Sequence, residues 1–254
     1  MTPALQAILA SVLSSILGLA GGFFLLWKDR ATRKFSGLFV SFAAGALLGA
    51  AFFDLLTEAV HDAPEKITST FAWVVGGFLF FFLIEKLLLW HHHSHAEEHH
   101  AEHQSVLAPL ILIGDGIHNF IDGTIIAATY LVSPALGTTT ALAVFFHELP
   151  QEIGDFSIML HAGWTRKRVA MWNFLGALVS PLGAVVTIFL SQHIHGLTLP
   201  LIGIAAGNFI YISAADLIPE IHREKRVGRM ALQFSLLVLG ILTIVGFGKL
   251  FPGA

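Results

Sequence analysis

Apolar residues run in eight long stretches along the chain, at roughly 4 to 27, 35 to 60, 70 to 90, 105 to 131, 134 to 161, 168 to 190, 198 to 220 and 230 to 251. Each is long enough to cross about 30 Å of hydrocarbon as an α-helix. None alternates with period two, which excludes a closed β-barrel. The breaks between them ("KDRATRK", "HDAPEK", "HHHSHAEEHHAEHQ", "VSPALG", "GWTRKR", "HIHG" and "HREKRVGR") are too short to hold a soluble domain. The pattern predicts an all-α polytopic membrane protein: eight transmembrane helices forming a single domain over 1–254. The first stretch is too long for a signal peptide and lacks a basic leader, so it reads as span one.

Basic residues fall on alternate breaks and set the orientation. One side carries Lys28, Arg30, Arg33, Lys34, Lys86, Arg166, Lys167, Arg168, Arg223, Lys225, Arg226 and Arg229, and the other only Lys66 and Lys249. Twelve against two predicts the basic breaks inside, with both termini outside. A span more or fewer would scramble this segregation. The histidine-rich break at 91–104 is then a cytoplasmic loop.

Composition agrees with the pattern. The chain is 55% hydrophobic and 12% charged, against about 25% charged in an average soluble domain. It has no cysteine, so disulfides and thiolate metal sites are ruled out. The net charge of −3 gives no reason to expect nucleic acid as a partner. The lipid bilayer is the expected surrounding.

Span two contains "FDLLTEAVH", with Asp54, Glu58 and His61, and span seven contains "ADLIPEIH", with Asp216, Glu220 and His222. The two segments run in opposite directions across the membrane. A likeness between antiparallel spans is what an inverted-repeat transporter bundle produces.

The chemistry sits in spans four and five. "GDGIHNFIDG" places Asp115, His118, Asn119 and Asp122 near the middle of span four, with His118 and Asp122 one turn apart on one face. "FFHELPQEIGDF" places His147, Glu148, Gln151, Glu152 and Asp155 at the same depth of span five. An interhelical hydrogen bond would account for Asn119 alone. It does not account for the carboxylates, each of which costs at least about 2.5 kcal/mol at the bilayer centre, because neither span carries a Lys or Arg to pair with them. Divalent cations would compensate the charge, and imidazole with carboxylate suits Zn²⁺, Fe²⁺ or Mn²⁺. Pro150 frees the carbonyl of Phe146 and predicts a kink beside a polar pathway. The run "HELPQ" also comes within one residue of the zinc-hydrolase motif H-E-x-x-H. An intramembrane metal-dependent hydrolase is therefore the alternative reading, although its fifth position is Gln151.

At these residues the chain resembles the ZIP (Zrt/Irt-like) divalent-metal transporters. "HNFIDG" at 118–123 is similar to the family's signature H-N-x-x-[DE]-G, and "HELPQEIGDF" at 147–156 to H-E-x-P-H-E-x-G-D. The resemblance covers essentially the whole chain and implies transport of divalent transition-metal ions, zinc foremost and also iron, manganese or cadmium. It implies import into the cytoplasm through a midplane binuclear centre. By that resemblance one site would hold His118, Asp122, His147 and Gln151, with Asp54 nearby. The other would hold Asn119, Asp122 and Glu148, with Asn173 as a further candidate and Glu152 as an accessory carboxylate. The metal is cargo, and no cofactor is implied. Gln151 departs from the pattern's second histidine, which weakens the first site's affinity and relaxes its zinc selectivity; Asp54 stands where the family often has histidine, which makes the site harder and friendlier to Fe²⁺ or Mn²⁺.

Seven of the fourteen histidines lie in the loop, namely His91, His92, His93, His95, His99, His100 and His103, interspersed with three glutamates. Together they form a candidate weak multi-ion receiver, dispensable for transport. The expected location is the cell membrane, and by analogy a prokaryotic inner membrane; a homodimer is left open.

Overall fold

The computed structural model describes residues 1–93, 100–194 and 196–250, and within them not the side chains at 29–34, 62, 88–93, 100–108, 110 and 161. Among the described residues all regular structure is helical. In chain order it comprises α1 (Pro3–Gly18), α2 (Ala20–Gly49), a π-turn (Ala50–Leu55), α3 (Leu56–Asp62), a short 3₁₀ turn (Pro64–Lys66), α4 (Ile67–His93), α5 (His100–Val132), α6 (Pro134–His161), α7 (Arg166–Ala177), α8 (Val179–His193), α9 (Thr198–Tyr211), a second π-turn (Ile212–Leu217), α10 (Ile218–Ile221) and α11 (Val227–Leu250). Helices run up to His93 and on from His100, so the histidine-rich break is shorter than 91–104. The side chains of its seven histidines lie outside the described residues.

Among the described residues seven stretches are long and apolar enough to cross a membrane: Pro3–Lys28, Phe35–His61, Pro64–Leu87, Ile111–Val132, Arg166–His193, Thr198–Ile221 and Val227–Leu250. These are the predicted spans one to four and six to eight. Span five is α6. Its 28 residues are long enough to cross, but His147, Glu148, Gln151, Glu152 and Asp155 lower its hydropathy. It needs no apolar surface all round, because α1, α2 and α5 pack about it.

Local chemistry sets the helix ends. Ser133 caps α6, its Oγ accepting from the Leu136 N–H at 3.1 Å, and Pro134 occupies the first turn, where its missing N–H costs nothing. Thr2 and Thr165 cap α1 and α7 in the same way. Gly163, at φ 82°, makes the left-handed turn between spans five and six. Span one is interrupted at Leu19 and ends at Lys28, where φ −135° and ψ 61° break the helix; span six is interrupted at Leu178.

Spans two and seven share more than their sequence echo. Each passes through a six-residue π-turn, "AAFFDL" in one and "ISAADL" in the other, and both turns end on the repeated Asp-Leu. Each also crosses a peripheral span at reciprocal glycines. Gly45 lies on the Leu237 carbonyl and Gly240 on that of Phe42, while Gly207 lies on the Val74 carbonyl and Gly77 on that of Ile204. Backbones meet this closely only where no Cβ intervenes. Span two thus pairs with eight as span seven pairs with three, the arrangement expected of an inverted repeat. Near the middle the halves meet where Ser213 donates to the Ala44 carbonyl at 3.0 Å.

Candidate metal site

Spans four and five meet with their polar faces toward each other. His118 and Asp122, one turn apart on α5, approach to 3.5 Å between Nε2 and Oδ2. From α6, His147 brings its Nε2 to 3.0 Å from Nε2 of His118 and 3.2 Å from Oδ2 of Asp122. Glu148 Oε1 stands 4.0 Å from His118 Nε2. One donor atom from each of these four residues lies within 4.8 Å of all the others. A tetrahedral zinc with bonds of about 2.0–2.2 Å has ligand-to-ligand edges of about 3.3–3.6 Å, close to the spacings found here.

Orientation favours a cation as well. Nδ1 of His147 lies 3.2 Å from the carbonyl of Ala143, one turn back. Donating its proton there leaves the Nε2 lone pair facing the cluster. Both carboxylate oxygens of Asp122, Oε1 of Glu148, Oε2 of Glu152, Oδ2 of Asp115 and Oδ1 of Asn119 are buried without a hydrogen-bond partner. Buried acceptors left in this condition are costly, and a metal ion held by the cluster would satisfy those of Asp122 and Glu148. Two carboxylates with two neutral imidazoles match a divalent charge. Gly18 of α1 permits this packing, since a Cβ there would stand 2.7 Å from the Cβ of Glu148.

Access is one-sided. A cavity of about 630 Å³ reaches the cluster from the side of the basic breaks, lined by His118, His147, Pro150 and Gln151 and, farther out, by Asp155 and Glu220. No Lys or Arg lines it among the described residues. His118 is 17% exposed, whereas Asp122, His147 and Glu148 are each 1% exposed. On the opposite side a second cavity of about 600 Å³ is lined by Asp54, Thr57, Glu58, Ser133, Thr139 and Lys249, among others. The two cavities share no lining residue. Between them along the spans lie Ala51, Ile126 and Ala143, all part of the buried apolar core.

The sequence candidates therefore separate. The structure brings together His118, Asp122, His147 and Glu148. Asn119 lies beside them and donates through Nδ2 to Oδ1 of Asp115 at 2.9 Å. Gln151 lines the cavity beside Asp115. Glu152 is buried near Asp115 and Asp155. Asp54 faces the opposite cavity. Asn173 gives its amide protons to the Val169 carbonyl at 2.8 Å and Met159 Sδ at 3.4 Å, within a second apolar cluster. α6 runs on through Pro150 as one helix. Asp115 was not among the candidates, yet it is 4% exposed and touches both Asn119 and Gln151. Its place three residues before His118 was the available signal. Glu85 and Asp216 also line the cavity, and Tyr211 donates to the Glu85 carboxylate; nothing in the sequence placed span three there.

Comparison with known proteins points the same way. The family described as ZIP Zinc transporter matches residues 2–109 and 89–248. The chain is 41% identical over 146 residues to zinc transporter foi of Drosophila melanogaster, covering 57% of this chain and 20% of that protein. It is 36% identical over 143 residues to human zinc transporter ZIP6 (54% and 19%) and 38% identical over 141 residues to human metal cation symporter ZIP14 (54% and 28%). The matched segments span less than a third of these curated relatives. With the family matching nearly end to end, and with its two signatures forming the buried cluster on α5 and α6, the chain belongs to the ZIP zinc transporter family.

Proposed function

We propose that this protein carries divalent transition-metal cations across the membrane, zinc foremost, through the His118–Asp122–His147–Glu148 cluster. The observation that supports this reading is a ligand set buried between spans four and five, free of Lys and Arg among the described residues and reached from one side only. A resident structural ion would need no cavity. A carrier needs one that opens to each side in turn, and the inverted repeat supplies two halves able to exchange roles. Import toward the side of the basic breaks is the direction in which the ion leaves through the cavity seen here. A second ion shares Asp122 and Glu148 with Asn119, whose Oδ1 is buried and unpaired. The hydrolase alternative has less to support it: Gln151 stands where its motif needs a second histidine, and foi, ZIP6 and ZIP14 are named as transporters or a symporter.

The test is metal uptake into proteoliposomes, measured for Zn²⁺, Fe²⁺, Mn²⁺ and Cd²⁺ separately with the protein in known orientation. Saturable Zn²⁺ flux is expected. A protein that binds zinc at the cluster but moves none of the four ions would overturn the reading.

A further inference from the structure

On the side of the basic breaks a separate cavity of about 440 Å³ lies between the first turns of spans two and eight. Of its lining residues only Glu220 is shared with the metal cavity. Arg223, Arg226 and Arg229 face two carboxylates there. Arg226 grips Glu224 through Nε at 2.9 Å and Nη2 at 3.0 Å, Arg229 reaches the same carboxylate at 3.4 Å, and Arg223 pairs with Glu220 at 2.8 Å. Three guanidiniums against two carboxylates leave one positive charge in excess. Hydrogen bonds from Arg226 pull the Glu224 carboxyl down to about 2, so that carboxylate stays charged across ordinary pH.

A second observation is independent of the arginines. Gln233 lines the cavity and is 5% exposed. Its amide nitrogen donates to the Gly37 carbonyl at 3.4 Å, but its Oε1 is buried without a partner. That oxygen needs a donor. The lip of the cavity is apolar, with Phe35 45% and Leu232 46% exposed where the spans enter the bilayer.

We propose that this cavity binds the headgroup of an anionic glycerophospholipid, its phosphodiester held by Arg226 and Arg229 and a headgroup hydroxyl donating to Gln233 Oε1. Guanidinium groups recognise phosphate oxygens through paired N–H donors, and basic pockets between spans at the cytoplasmic face suit such lipids. The apolar lip seats the acyl chains, which a soluble phosphate lacks. Because Arg223 is tied to Glu220, the headgroup lies one ion pair away from the mouth of the metal cavity.

The test is native mass spectrometry of the full-length, delipidated protein offered equal amounts of phosphatidylglycerol, phosphatidylmethanol, phosphatidylethanolamine and phosphatidylcholine. About a tenfold retention of phosphatidylglycerol over phosphatidylcholine is expected, the ratio set by one charge-assisted hydrogen bond. Arg226→Ala/Arg229→Ala should bring that ratio near unity. Gln233→Leu should instead equalise phosphatidylglycerol and its hydroxyl-free analogue phosphatidylmethanol, keeping both above phosphatidylcholine. Arg166→Ala/Lys167→Ala, on another basic break, should change neither ratio. Equal retention of all four lipids by the wild type, loss of preference in the Arg166/Lys167 variant, or full competition by glycerol 3-phosphate at lipid concentrations would overturn the assignment.

Discussion

Replacing Gly18 with alanine tests the metal site through a residue that ligates nothing. The new methyl carbon would stand 2.7 Å from the Cβ of Glu148, whereas carbon atoms rest at about 3.5–4.0 Å. About 1 Å must be found. It cannot come from side-chain rotation, because Cβ is fixed to the backbone of α6, so α1 and α6 must part or Glu148 must move with its helix. Overpacking of this kind costs about 1–3 kcal/mol of stability. Metal-donor distances tolerate only about 0.2 Å, and changes just behind a ligand typically lower metal affinity about 10–100-fold. Gly18→Ala should therefore fold, melt somewhat lower, and bind Zn²⁺ about 10–100-fold more weakly by titration calorimetry. Gly76→Ala, where nothing lies within 4 Å of the added carbon, is the control and should bind normally. Gly176→Ala is intermediate, since its Cβ would meet only the carboxylate tip of Asp115, also at 2.7 Å. A Gly18→Ala protein with unchanged zinc affinity would show that Glu148 is not a ligand.

Direct removal of ligands should act more strongly. His118→Ala and Glu148→Ala are expected to cut zinc flux by at least about tenfold in folded protein, and near wild-type uptake in either would sink the midplane site. If the histidine-rich segment is the dispensable receiver the sequence suggests, replacing residues 91–103 with a Gly/Ser linker should leave initial rates within about threefold while lowering the metal bound per chain in equilibrium dialysis; a dead but correctly inserted transporter would contradict that. Gln151→His would add an imidazole one turn from His147 on the wall of the cavity. It is expected to lower half-saturation for Zn²⁺, slow maximal turnover and disfavour Mn²⁺, and an unchanged Zn²⁺ to Mn²⁺ preference in parallel uptake curves would remove Gln151 from the ion's path.

Much of this architecture could be read from the chain because lipid leaves the backbone few choices. Where the hydropathy rule fails, at α6, the failure itself marks the site: a span can carry His147, Glu148 and Glu152 only if other spans wrap it. The i, i+4 spacing put His118 and Asp122 on one face, and the structure adds what spacing lacks, the 3.2 Å approach of His147 from another helix. Depth was harder to read. Asp54 shares a polar helix face with Glu58, but how far along the pathway that face lies depends on how span two is wound and tilted, and the structure sets it in the cavity opposite the cluster. Asn173, a candidate by the resemblance, gives its amide protons to Val169 and Met159 and keeps its buried Oδ1 without a partner, within an apolar cluster that spacing along the chain did not reveal. The interruption at Leu19 left no mark, since it falls inside an apolar run without proline, whereas the one at Leu178 is followed by Pro181 in the first turn of α8, a signal the run of apolar residues concealed.

The paired π-turns have a consequence for helical phase. Such a turn accommodates one residue more than an α-helix would, so everything beyond it is rotated by about 100° from where an uninterrupted helix would place it. In span two this rotation decides which way Glu58 looks. In span seven it does the same for Glu220, which touches the metal cavity and the headgroup cavity alike. Deleting Ala51 or Ala214 should restore α-helical phase and swing the matching carboxylate away. The chain has no cysteine, so a single cysteine at position 58 or 220 would report the swing by its labelling rate with a water-soluble thiol reagent, and unchanged labelling after the deletion would show that the turns do not set the phase.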